Sequence, residues 1–227
     1  VNKNQTKSKQ RVADHGEVFT AKREVNAMLD LVKADSVNIF SRFLEPACGD
    51  GNFLAEVLCR KLSTVKLQYS KNAADYERYA VIAVSSVYGV DILQDNIEEC
   101  RKRLFRIFDE EYSEICRNES NNETRETVRY ILECNILCGD ALTMEISKDN
   151  PIIFAEWSAI NGCMLKRRDY RLDHMLKQNE DNEQMSLCDY STDYDYDSAG
   201  NFILKPIKEY EPIHYKAISK QRNLGNV

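Results

Sequence analysis

One segment constrains this chain more than any other. An apolar run from Ile39 to Glu45 breaks into Pro46-Ala47-Cys48-Gly49-Asp50-Gly51. Helical periodicity resumes at Asn52, with Phe53, Leu54, Val57, Leu58 and Leu62 on one face. A short buried strand, a tight turn of small residues and a helix in immediate succession form the opening of a doubly wound sheet. The pattern then repeats. A helix is predicted over Ala73 to Ala83 and a second strand over Val87 to Asp91. A long amphipathic helix follows, with Ile97, Cys100, Leu104, Ile107, Phe108 and Ile115 inward. Asn118 to Thr124 reads as a loop and Thr127 to Leu132 as a short helix. Ile136 to Cys138 reads as a third strand, ending at Gly139-Asp140, and Ile152 to Phe154 as a fourth. Ahead of all this, Thr20 is placed to cap a helix whose Val25, Met28, Leu29 and Val32 share an apolar face. This alternation predicts an α/β fold with a doubly wound, mostly parallel sheet.

After Trp157 the alternation weakens, and the C-terminal part reads as truncated or irregular. Asn161-Gly162 between apolar residues signals a hairpin. Phe202 to Leu204 and Pro206 to Ile207 suggest a late strand pair. From Asn179 to Ser198 there are seven acidic residues and no basic one, which reads as a loop. The expected division is a flexible arm (1–11), a main domain (12–178), an acidic loop (179–198) and a C-terminal extension (199–227). A length of 227 residues suits one such domain.

Composition excludes several classes. With 43% apolar and 30% charged residues, wholesale disorder is not expected. No window approaches the ~18 continuous apolar residues of a membrane span. The first ten residues, VNKNQTKSKQ, lack the apolar core of a secretory signal, so a cytoplasmic protein with no membrane contact is expected. The eight cysteines show no CxxC spacing and read as reduced thiols. Cys134 and Cys138 have no histidine nearby, and His15, His174 and His214 are far apart, so no metal site is expected. The net charge of −6 argues against an overall nucleic-acid footprint. Lys166, Arg167, Arg168 and Arg171 still form a local basic cluster, either a set of phosphate contacts or a solvated face.

Three strand ends carry the chemistry. The turn at Gly49 and Gly51 lets a ligand approach the backbone, and the helix N-terminus behind it offers N–H groups to a carboxylate. It lacks the GxGxxG that cradles a dinucleotide. Asp91, ending the second strand, is either a ribose-diol acceptor or a helix cap. Asp140, after the third, is either an acceptor for the adenine amine or a cap. All three ends face the carboxyl edge of the sheet. A crevice of this kind suits an adenosine with an amino-acid tail, which is S-adenosylmethionine.

These residues also carry a resemblance. Leu44-Glu45-Pro46-Ala47-Cys48-Gly49-Asp50-Gly51-Asn52-Phe53-Leu54 closely resembles the cofactor loop of the amino-methyltransferases that modify adenine N6 in DNA, especially those of bacterial restriction–modification systems. Gly16-Glu17-Val18-Phe19-Thr20 resembles the segment that closes over the methionine end of their cofactor. Tyr88-Gly89-Val90-Asp91-Ile92, followed by Asp95-Asn96, resembles their ribose-binding strand, and Asn135-Ile136-Leu137-Cys138-Gly139-Asp140-Ala141 their adenine-binding strand. The resemblance covers roughly residues 11 to 157. It implies a Rossmann-like class I methyltransferase fold and S-adenosylmethionine as cofactor. The implied contacts are Phe19, Thr20, Glu45, Pro46, Ala47, Cys48, Gly49, Gly51, Asn52, Phe53, Asp91, Ile92, Asp140 and Ala141. DNA is the implied partner.

The chain departs from that family at the catalytic motif. The family places DPPY or NPPY at the end of the fourth strand, where an acceptor side chain and a backbone carbonyl hold the adenine amine and an aromatic stacks on the flipped base. Here the chain reads Ile152-Ile153-Phe154-Ala155-Glu156-Trp157-Ser158. Glu156 and Trp157 are the residues that could supply an acceptor and a π-face; the alternative is a surface Glu156 and a core Trp157. Three functions follow: a DNA adenine methyltransferase whose target recognition comes from a partner subunit, a non-catalytic cofactor-binding subunit or regulator, and a methyltransferase for another substrate.

Overall fold

The computed structural model describes residues 20–177, 194–196 and 202–224. The expected arm, Phe19 and most of the acidic loop lie outside the described residues. Elements run in the order α1 (Lys22–Leu31), α2 (Lys33–Val37), β1 (Phe43–Glu45), α3 (Asn52–Tyr69), α4 (Ala73–Ser85), β2 (Val87–Asp91), α5 (Gln94–Cys116), α6 (Asn122–Asn135) and β3 (Ile136–Cys138). A short ribbon of β4 (Glu145–Ser147) and β5 (Asn150–Pro151) follows. Then come β6 (Ile153–Ala159), β7 (Met164–Arg171) and α7 (Leu172–Lys177). The chain ends in β8 (Tyr194–Tyr196), β9 (Phe202–Leu204), β10 (Lys208–Glu209), β11 (Ile213–His214) and a 3-10 helix (Tyr215–Leu224).

The first three strands form a parallel sheet in the order β1-β2-β3. Side chains alternate faces along β2. On one face Val87 joins the main core, and a Cβ on Gly89 would meet Leu54 Cδ1 of α3 at 2.9 Å. Helices α3 to α6 cover that face, burying Leu54, Val57, Leu58, Leu104, Phe108 and Ile131. Each such side chain contributes about 1.5–3 kcal/mol. On the other face Tyr88 and Val90 pack against Ile152, Phe154 and Leu172. The result is an α/β fold with a partly parallel sheet. Among the described residues, the second face is covered by Ile152 and Phe154 around the start of β6 together with Leu172 at the start of α7.

Several expectations shift. Ala21, not Thr20, precedes the first turn of α1, and its N–H donates to Glu24 Oε2 at 3.3 Å. Val25 and Leu29 are buried, but Met28 and Val32 are exposed. α6 begins five residues before the predicted start at Thr127, because Asn121 accepts the Thr124 N–H and caps a polar first turn. Phe202–Leu204 is a strand as expected, but it pairs with Tyr194–Tyr196 rather than with 206–207. The fourth strand differs most. β6 pairs antiparallel with β7 from Ile153–Arg171 to Ala159–Leu165, and not with the parallel sheet. β10 and β11 pair with β7 as well.

Two polar networks hold the helical side together. Lys61 of α3, fully buried, donates to Ser41 O and, at 2.7 Å, to Ser86 Oγ, linking the chain ahead of β1 to the chain ahead of β2. Glu77 of α4, also buried, accepts from Tyr112 and Tyr215 hydroxyls and from Asn121, and pairs with Lys216 at 2.7 Å. That network fastens the C-terminal 3-10 helix to α4 and α5. No helix among the described residues is long and apolar enough to cross a membrane.

Candidate cofactor cleft

The carboxyl ends of β1, β2 and β3 are stitched together by their own backbone. Cys48 N–H donates to Val90 O at 2.9 Å, and Gly139 N–H to Asp91 O at 3.0 Å. Gly49 takes φ +52° and Gly51 φ +87° in the intervening turn. A side chain at Gly51 would also lie 2.7 Å from Cys100 Sγ. Gly51 is therefore required by the backbone and by the approach of α3 to α5. Of the residues of this turn expected to touch a cofactor, Gly51 is not among those that border the cleft.

In front of these ends lies a cleft of about 570 Å³. That volume is within the roughly 300–1,000 Å³ of small-molecule sites. It is bordered by Thr20, Glu45, Pro46, Ala47, Cys48, Gly49, Asn52, Phe53, Asp91, Ile92, Asp140 and Ala141, all expected from the sequence. Met28, Leu93, Asn96 and Leu142 also border it and were not expected. For Asn96 a signal existed: Asp95-Asn96 follows the segment that resembles a ribose-binding strand. For Met28 and Leu142 there was none, because their place depends on how distant elements meet.

The cleft is acidic. Its rim holds Glu45, Asp91 and Asp140 and, among the described residues, no lysine or arginine. Burial pushes the Glu45 carboxyl above its ordinary pKa, opposed by the Ala47 N–H at 3.3 Å. Asp91 is held by three donors. Its Oδ2 accepts Gly49 N–H at 3.0 Å, and its Oδ1 accepts Leu93 N–H at 2.9 Å and the Asn96 amide at 3.2 Å. A carboxylate offers about four lone-pair positions, so Asp91 keeps acceptor capacity on Oδ2. Asp140 Oδ1 accepts Leu142 N–H at 2.8 Å in a local turn. Asp91 and Asp140 each organise their turn, as the capping reading expects, and each also borders the cleft. Arg103 of α5 braces the turn, pairing with Asp50 Oδ2 at 2.6 Å and donating to Asn52 Oδ1. The neighbouring Cys100 thiol and burial push the Cys48 thiol beside the cleft above its ordinary pKa. Among the described residues no group of three His, Cys, Asp or Glu side chains could hold a metal ion.

Glu156 and Trp157 are elsewhere. The Trp157 indole donates to Asn135 Oδ1 at 3.1 Å, immediately before β3. Glu156 pairs with Arg42, immediately before β1, and with Arg168 at 3.3 Å. Both therefore sit at the amino edge of the parallel sheet, opposite the cleft. At about 3.3 Å per residue, a strand of three to five residues separates the two edges by roughly 10–17 Å. β6 pairs antiparallel with β7 through the Asn161-Gly162 turn and does not join the parallel sheet.

The basic cluster is also divided. Lys166 and Arg168 share one side of β7, and Arg167 and Arg171 the other. Lys166 pairs with Glu209 at 2.6 Å, and Arg171 with Asp173 at 2.8 Å. Arg167 is mostly buried, pairs with Asp169 at 2.6 Å, and lies over Tyr130, Trp157 and Tyr210 at 5.7, 5.7 and 4.5 Å. The structure does not bring these four together as one phosphate-binding array.

No protein-family model matches the chain, and no solved structure matches it. The chain is similar to DNA methyltransferase A of Bacillus subtilis (strain 168), with 27% identity over 108 residues. The match covers 46% of this chain and 12% of that relative, so the similarity is to a small part of a bacterial DNA methyltransferase.

Proposed function

We propose that the cleft binds S-adenosylmethionine and that the chain is the cofactor-binding part of a methyltransferase acting on adenine N6 in DNA. The observation that carries this reading is a cleft at the carboxyl edge of the sheet that is lined by three acids and, among the described residues, by no lysine or arginine. A phosphate-bearing nucleotide is repelled there, whereas an adenosyl group with a sulfonium and an ammonium is attracted. Glu45 and the N-terminus of α3 would hold the amino-acid end. Asp91 would accept from the ribose diol, and Asp140 from the adenine amine. Ile92 and Leu142, both exposed around the cleft, would cover the faces of the base. When bound, the cofactor supplies an electrophilic methyl group. The chain's own contribution is binding and orientation. The cofactor-binding unit would be residues 12–178. DNA, and a partner subunit that reads the target, belong to the same proposal, supported by similarity to the B. subtilis enzyme.

One observation favours a second reading, a non-catalytic cofactor-binding subunit. Glu156 and Trp157 lie at the far edge, so neither can hold an adenine amine at the cleft. Methyl transfer from tritiated cofactor to duplex DNA, tested with the chain alone and with neighbouring gene products, separates the two. Incorporation supports the first reading. Cofactor retention in equilibrium dialysis without incorporation in any mixture supports the second.

A further inference from the structure

The missing side chain at Gly51 lets α5 come close to the turn before α3, and α5 uses that approach. A Cβ at Gly51 would lie 2.7 Å from Cys100 Sγ. Residues three apart share a face of a helix, so Arg103 meets the same turn one step further along α5. Its guanidinium pairs with Asp50 Oδ2 at 2.6 Å and donates to Asn52 Oδ1, gripping the residues on either side of Gly51. Arg103 does not border the cleft, whereas Asn52, the first residue of α3, does.

This contact fixes which way the Asn52 amide points. A guanidinium only donates, so the end of the amide that meets Arg103 is the oxygen. Asn52 Nδ2 meets no acceptor among the described residues and is not a buried atom, so it faces open space. The open space that Asn52 borders is the cleft. A donor there answers a need. Glu45, Asp91 and Asp140 suit the ammonium, hydroxyls and amine of an adenosyl amino acid and oppose its carboxylate. Asn52 Nδ2 is a neutral donor, so it leaves the negative charge of the cleft in place for the ammonium.

We propose that Arg103 is a positioning residue for the cleft. By holding Asn52 Oδ1 it presents Asn52 Nδ2 to the carboxylate of the ligand's amino-acid tail, and so favours ligands that carry one. This role rests on the cofactor reading of the cleft.

Calorimetry on the full chain tests it, with S-adenosylmethionine and with its decarboxylated analogue, which keeps the adenosyl group, sulfonium and ammonium. Asn52→Asp leaves an oxygen for Arg103 and replaces the donor with a second oxygen. It should lower S-adenosylmethionine affinity at least about tenfold and leave the analogue within about twofold. Arg103→Met should lower S-adenosylmethionine affinity about three- to tenfold and again spare the analogue. Combined with Asn52→Ala, Arg103→Met should add nothing for either ligand, because its action passes through Asn52. A loss shared equally by both ligands marks a merely structural brace and overturns the proposal. So does an Arg103→Met effect that persists without Asn52, or an Asn52→Asp chain that binds S-adenosylmethionine as the native chain does. If neither adenosyl ligand binds the native chain, the cofactor reading fails, and the Asn52 side-chain amide resonances decide the donor assignment alone. They should shift with L-methionine at millimolar concentration, shift less in Arg103→Met, and stay in place with L-methioninol, which lacks the carboxylate. No shift with L-methionine overturns it.

Discussion

Asp91 is the residue on which the cleft depends. It accepts from the turn, from the start of α5 and from Asn96, and still borders the space in front of the sheet. Asp91→Ala should lower cofactor affinity at least about tenfold, since hydrogen bonds to charged groups contribute ~1.5–3 kcal/mol. It should also lower thermal stability, because three donors lose their acceptor. Asn96→Leu should give a smaller affinity loss; an unchanged affinity in calorimetry would show that Asn96 does not position Asp91. Gly51→Ala should destabilise by about 1–3 kcal/mol in urea titrations, since it combines a positive φ with a contact on Cys100. Glu45 gives a pH signature. Its pKa is raised in the free protein by burial, and a cationic ligand would lower it. Binding should therefore release a proton as the Glu45 carboxyl ionises, and affinity should fall as the pH is lowered and that carboxyl becomes protonated. Calorimetry in buffers of different ionisation enthalpy reads that proton directly.

At the scale of elements, two buried charges set the behaviour of α3 and α4. Burial lowers the pKa of Lys61 to about 7, with Asp35 opposing. Below that pH both folded and unfolded chains carry the proton. Between about 7 and the ordinary lysine value of 10.5 only the unfolded chain does, so stability should rise with pH across that window. The rise should reach on the order of a few kcal/mol, reduced by the two oxygens that already accept from the ammonium. Lys61→Met should flatten it; a slope that persists would place the titration elsewhere. Glu77→Ala should cost about 3–5 kcal/mol, because it strands Lys216 and two tyrosine hydroxyls, and limited proteolysis should then cut the C-terminal 3-10 helix first. How much of these elements could be read from sequence varied with how local their signals were. β2 and β3 stand where apolar runs ending in Gly or Asp placed them. The first turn of α6 is polar and was masked by its asparagines. The antiparallel course of β6 was hinted at only by Asn161-Gly162, and a turn signal does not tell which edge of a distant sheet the ribbon will cross.

At the scale of the whole molecule, the structure joins a three-stranded parallel sheet to a strand ribbon and a C-terminal segment that brace it. The twelve cleft residues expected from the sequence meet because three strand ends must meet in a parallel sheet. Glu156 and Trp157 do not, because their strand belongs to the ribbon. The most direct test of the central claim is calorimetric titration of the full chain with S-adenosylmethionine and, separately, with ATP at equal concentration. The cofactor should bind one to one, with affinity falling at least about tenfold in Asp140→Ala, and ATP should give no saturable heat. ATP binding as tightly as the cofactor, or no cofactor binding at millimolar concentration, would contradict the account.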